Sequence, residues 1–149
     1  MDLFLGIKFY SFFIISIRSY QLVGYGEALK QLNKCLIIDL HSYPRVKLPF
    51  ETSDGIRPEL CIGTDNYHTP DKLVNEIISI ASKYSIETAL NSPFAGTLVP
   101  LKHFGKEPRV NSVMLEIRRD QYMDESKMVR DSERINLIKS MLIEIISQT

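Results

Sequence analysis

The sequence predicts an α/β fold, a mixed and mostly parallel sheet flanked by helices. Three observations carry that expectation. Two short apolar runs, Leu36-Ile37-Ile38-Asp39-Leu40 and Val113-Met114-Leu115, read as buried strands. They turn polar at their C-terminal ends, in His41-Ser42-Tyr43-Pro44 and Glu116-Ile117-Arg118-Arg119-Asp120. Between them, Thr69-Pro70-Asp71 opens a stretch with apolar residues at helical spacing. Strands that alternate with helices argue for parallel pairing, because parallel neighbours need a crossover connection.

The chain has 149 residues, enough for one domain with a core of its own. Hydrophobic residues make up 44% and charged residues 24%, the ordinary balance of a globular protein. Eighteen basic side chains offset eighteen acidic ones, so no net charge draws the protein to nucleic acid or to an acidic membrane. Cys35 and Cys61 lie in or beside apolar runs and lack CxxC spacing, which fits buried free thiols in a reducing, cytoplasmic setting.

Residues 3–17, LFLGIKFYSFFIISI, are apolar apart from Lys8. They fall short of the ~20 residues that a membrane-spanning helix needs, and Asp2 replaces the positive opening of a signal peptide. A buried strand or strand-turn-strand piece is the expectation there, with a membrane anchor as the minority alternative. Residues 20–26 read as a loop, and 27–33 as a short helix with Ala28, Leu29 and Leu32 on one side. The strand that ends at His41 follows. Pro44, Pro49, Gly55 and Pro58 mark a long loop, of the length that is usually functional or mobile. Leu60-Cys61-Ile62 is a short strand.

Thr69 is expected to cap the next helix, with Pro70 in its first position and Asp71 at the positive end of its dipole. Leu73, Ile77, Ile80 and Ala81 form its buried stripe, and it should end near Lys83 or Tyr84. Ile86 to Leu90 is a further strand, 91–96 a turn, and Leu98-Val99 a brief extended piece. The strand Val110 to Ile117 leads to a last helix from about Val129 to Ser147, with Ile135, Ile138, Met141, Leu142 and Ile145 inward.

Several residues invite a chemical reading. His41 ends a strand, and Asp39, two residues earlier on the same face, can orient its imidazole or act as a structural partner. Glu116 sits among Val113, Met114, Leu115 and Ile117. A carboxylate there must be ion-paired or must have a raised pKa, and the second is what a proton-shuttling base requires. An imidazole on one strand end and a carboxylate near another are the minimum pair for a metal-bound water and its base. Arg57 offers either a solvated loop charge or a fork for a substrate carboxylate. His68 and His103 have no ligand partner at i+3 or i+4 and are expected at the surface. Tyr43, Tyr67 and Phe94 flank the proposed cleft, where such aromatics line a site or simply pack. No P-loop, GxGxxG, GxSxG or HExxH pattern is present.

Taken together, IIDLHSYP at 37–44, RPELCIGTDNYHTP at 57–70, NSPFAGTLVP at 91–100 and VMLEIRRDQYMDE at 113–125 resemble the N-formylglutamate amidohydrolase family in content, order and spacing. The resemblance covers about residues 19–148. It implies membership of the broader carboxypeptidase-like zinc hydrolases, a phosphorylase/hydrolase-like α/β fold, and hydrolysis of an N-acyl amino acid such as N-formylglutamate, releasing formate. Carried over by position, it implies His41 as a zinc ligand and Glu116 as the base that activates water and passes its proton to the leaving amine. Arg57, Asn91 and Arg118 fall in motifs near the substrate. The resemblance also implies a longer N-terminal part that supplies the first zinc histidine and an acidic ligand. Here forty residues precede His41 without another histidine. On that reading residues 1–18 are an apolar segment of separate origin, and 19–149 the C-terminal portion of a family domain. A lost N-terminal half would leave an open sheet edge that favours oligomers. A non-catalytic remnant that still binds a small carboxylate is the alternative function.

Overall fold

A five-stranded sheet with two long helices packed on one face organises the described residues. The computed structural model describes residues 12–16, 29–30, 32–49, 51 and 55–148. The strands are β1 (Phe12–Ser16), β2 (Cys35–Tyr43), β3 (Leu60–Gly63), β4 (Thr88–Leu90) and β5 (Val110–Arg118), in the order β1-β2-β5-β3-β4. The longest pairing is parallel and joins β2 to β5 from Cys35↔Val110 to Tyr43↔Arg118. β3 and β4 are also parallel, while β1 runs antiparallel to β2 and β3 antiparallel to β5. The fold is therefore the expected mixed α/β arrangement. Within the expected apolar N-terminal segment, residues 12–16 form the edge strand β1; most of that segment and the expected 20–26 loop lie outside the described residues. Of the expected 27–33 helix, residues 29, 30 and 32 are helical.

Two helices cover one face, α1 (Asp71–Lys83) and α2 (Ser132–Gln148). Side chains alternate across a strand, so Ile38, Leu60, Ile62, Val113, Leu115 and Ile117 all point to the same side. There they meet Leu73, Ile77, Ile80, Met141 and Ile145 in the main core. Each such buried aliphatic contributes roughly 1.5–3 kcal/mol relative to exposure. On the opposite face, Cys35, Ile37, Val99 and Val110 form a smaller apolar cluster at the N-terminal ends of β2 and β5. Beyond it that face becomes polar.

Several local expectations change. Thr69 does not cap α1: its hydroxyl donates to the Ser112 carbonyl at 2.6 Å and accepts from the Asp65 amide at 2.9 Å. Pro70 takes the N-cap position, with no side-chain cap hydrogen bond. β4 begins at Thr88 rather than Ile86, and Leu98-Val99 belongs to no strand. The last helix begins at Ser132 because Asp131 Oδ1 accepts from the amides of Glu133 and Arg134, both at 3.1 Å. Val129-Arg130 (β7) pairs instead with Met123-Asp124 (β6) in a small antiparallel ribbon. Among the described residues no helix is long and apolar enough to cross a membrane.

Candidate active site

The polar face of the sheet is built by register. His41 on β2 is the direct partner of Glu116 on β5, and Glu116 is in turn the partner of Cys61 on β3. Paired residues on adjacent strands project to the same side, and neighbouring strands lie ~4.8 Å apart. His41, Glu116 and Cys61 thus form a row across three strands. Asp39 and Met114 form the row before it on β2 and β5, and Tyr43 and Arg118 the row after it. The histidine and glutamate expected to share a cleft stand side by side.

Their electrostatics differ. His41 Nε2 lies 2.7 Å from Asp39 Oδ1, and its side chain is 28% exposed, so the imidazole is oriented from behind and open to the front. Glu116 is only 9% exposed. Burial pushes its carboxyl up to about 7, with His41 pulling it down and Asp39 pushing it further up. The Arg119 guanidinium also pulls it down, by less than burial pushes it up. A buried carboxyl poised near neutrality can accept a proton and return it.

A segment spanning residues 92–99 lies over the β3 and β5 part of this face. Cys61 Sγ donates to the Phe94 carbonyl at 3.2 Å, and the Phe94 ring meets Tyr43 edge-on at 5.4 Å. At its far end Ser112 Oγ donates to the Leu98 carbonyl at 2.7 Å and lies 2.7 Å from Thr97 Oγ1. Gly63 permits this close approach, since a Cβ there would collide with the Gly96 carbonyl and Met114. Burial pushes the phenol of Tyr43 well above its usual range, and its hydroxyl donates to the Pro58 carbonyl.

The three expected substrate-side residues are all engaged within the protein. Arg57 stacks over Tyr43, 5.0 Å from the ring centre, which brings it to the His41–Glu116 face. Its guanidinium donates to Glu51 Oε2 at 2.5 Å and to the carbonyls of Pro44 at 2.6 Å and Arg45 at 3.1 Å. Arg118 donates to Asp120 Oδ1 at 2.7 Å and Oδ2 at 3.2 Å, and to the Arg57 carbonyl at 2.5 Å. Asn91, at φ 53°, clamps the ends of β3 and β4: Oδ1 accepts from the Thr64 amide at 2.9 Å and Nδ2 donates to Thr64 Oγ1 at 2.8 Å.

His68 is not at the surface. It is fully buried, with Nδ1 2.7 Å from the Val110 carbonyl and Nε2 accepting from the Gly105 amide at 2.9 Å. His103 is half-buried in the turn that follows Pro100. Cys61, whose sequence context gives only a buried thiol, is the residue at this site that sequence reasoning missed. Its place beside Glu116 comes from the β3–β5 register, which leaves no local signal.

The family model for N-formylglutamate amidohydrolase matches residues 25–123, which include His41, Arg57, Asn91, Glu116 and Arg118. The chain belongs to the N-formylglutamate amidohydrolase family. Its fold is similar to that of the crystal structure of N-formylglutamate amidohydrolase from Ralstonia eutropha JMP134, with a TM-score of 0.63 and 19% identity over 81% of this chain and 44% of that one. It is also similar to the gene product Atu2144 from Agrobacterium tumefaciens, with a TM-score of 0.55 and 19% identity over 83% of this chain and 44% of that one. The chain therefore spans less than half the length of these solved structures. No curated protein matches the sequence.

The zinc implied by the family resemblance can be tested against the donors. His41 backed by Asp39 has the form of a ligand with its orienting carboxylate. A catalytic zinc takes three protein ligands, however, and among the described residues no group of three His, Cys, Asp or Glu side chains can hold a metal ion. The described residues do not complete a zinc site by themselves.

Proposed function

We propose that the chain carries the proton-handling part of an amidohydrolase site that acts on N-acyl amino acids, N-formylglutamate foremost. The observation that carries this reading is the pairing of His41 with Glu116, the latter a carboxyl raised to about 7 by burial. Glu116 takes a proton from water as the water oxygen bonds to the acyl carbon. The same proton then passes to the departing nitrogen as the carbon–nitrogen bond breaks, giving formate and glutamate. Asp39 holds the His41 imidazole in a fixed orientation throughout. His41 is also the residue that would serve as a zinc ligand, the remaining ligands coming from outside the described residues.

Arg57, Arg118 and Asn91 support the substrate end of this reading to different degrees. Arg57 is the best placed, because it lies over Tyr43 beside the His41–Glu116 row. Arg118 and Asn91 shape the ends of β5, β3 and β4 through the contacts given above. Substrate carboxylate at Arg57 would replace Glu51 as its partner.

The test is formate release from N-formylglutamate by purified protein, with zinc content measured before and after chelation. Chelator-sensitive release that His41→Ala and Glu116→Gln both abolish supports the reading. Zinc-bound, folded protein without release overturns it, as does release that Glu116→Gln leaves unchanged. Arg57 on the site face favours one second reading, a module that binds a small carboxylate without turnover. Calorimetric binding of N-formylglutamate without release would identify it.

A further inference from the structure

The row through Glu116 has two unlike flanks. On the β2 side stand His41 and Asp39, polar and joined at 2.7 Å. On the β3 side stands Cys61, fully buried beneath the carbonyl of Phe94. The Phe94 ring reaches across to Tyr43, which lies two residues beyond His41 on the same face. Phe94 therefore spans the site from β3 to β2 at its C-terminal end. It is also held in place. Its own carbonyl is bound to Cys61, its ring rests edge-on against Tyr43, and the segment behind it is pressed against Gly63 and tied to Ser112.

Access follows from exposure. The His41 side chain is open to solvent, whereas Glu116 and Cys61 are covered, so an amide must approach Glu116 from the β2 side. The carboxylate-bearing end of an N-acyl amino acid then stays with the polar residues and the Arg57 guanidinium. Its small acyl substituent runs toward Cys61 and Phe94.

The geometry points to Phe94 as the residue that sets the size of the acyl group, admitting a formyl hydrogen and excluding longer chains. This rests on the amidohydrolase reading above. The ring rests on Tyr43 and its backbone is tied to Cys61, so an added methyl meets a wall that yields little. A single methylene in a hydrophobic pocket changes kcat/KM by roughly 10–200-fold.

The experiment compares kcat/KM for N-formyl-, N-acetyl- and N-butyrylglutamate in the zinc-supplemented wild type, Phe94→Ala and Phe94→Leu. The wild type should favour the formyl substrate. Phe94→Ala should raise the acetyl-to-formyl ratio about tenfold or more, and Phe94→Leu should give an intermediate ratio, which decides the matter if the alanine variant does not fold. A ratio unchanged in folded variants overturns this inference alone. Absence of turnover on every substrate by the wild type overturns the amidohydrolase reading and this inference with it.

Discussion

His41 and Glu116 hold the same register position on two adjacent parallel strands, so their side chains leave the sheet together. Pairs of this kind are rigid, because each is fixed by the hydrogen-bond ladder on which it sits. A functional pair carried on strands is held more accurately than one carried on loops. The behaviour of Glu116 can therefore be predicted from its surroundings.

Glu116 should make the metal-free protein less stable as pH rises. Its folded carboxyl is raised from 4.5 to about 7, so between those values the folded state binds more protons than the unfolded state. Stability contributed by the protonated form is full below pH 4.5 and is lost as pH rises through about 7, by up to roughly 3 kcal/mol. In chelator, the urea midpoint of the wild type should fall between pH 5 and pH 8, and Glu116→Gln should flatten that fall. An equal fall in both proteins would contradict the assignment.

Asp39→Asn keeps the shape of the Asp39–His41 contact and removes its charge. Loss of an orienting carboxylate behind a ligating or catalytic imidazole typically costs 10–100-fold in affinity or activity. Formate release at saturating zinc should drop by that order while the circular dichroism spectrum stays unchanged. Full activity in Asp39→Asn would reduce the contact to a structural one.

Glu51 occupies the Arg57 guanidinium that a substrate carboxylate would need. Glu51→Gln removes the competing charge and should lower KM for N-formylglutamate severalfold, with kcat little changed. Arg57→Ala should raise KM instead. If neither variant moves KM, Arg57 is a loop fastener resting on Tyr43 and nothing more.

Gly63→Ala should destabilise the fold by ~1–3 kcal/mol, the usual range for overpacking a close contact. The added methyl meets the Gly96 carbonyl, which is backbone and yields little, as well as Met114. Denaturant midpoints of the two proteins measure the difference. An unchanged midpoint would mean that residues 92–99 lift readily from the sheet.

Much of this architecture could be read from the sequence, and what could not has a common cause. β2 and β5 are plain in Leu36–Ile38 and Val113–Leu115, and α1 in the spacing of Leu73, Ile77 and Ile80, because those signals are local. The family motifs likewise led to His41 and Glu116. Partnerships between distant segments were not legible. His68 reads as a surface histidine until Val110 and Gly105 supply its two hydrogen bonds. Thr69 reads as a helix cap until the Ser112 carbonyl, 43 residues away, takes its hydroxyl. Cys61 acquires its neighbour Glu116 only through strand register.

Register also limits how the chain can vary. Strands alternate faces with every residue, so deleting one residue between Asn111 and Leu115 would turn the rest of β5 over. Glu116 would then be thrust among Ile77 and Ile145, and Ile117 would take its place beside His41. Length inside this strand is quantised in steps of two. Insertions and deletions should therefore accumulate in the connecting segments, while the strand keeps its parity in any homologue that retains the His41–Glu116 pair.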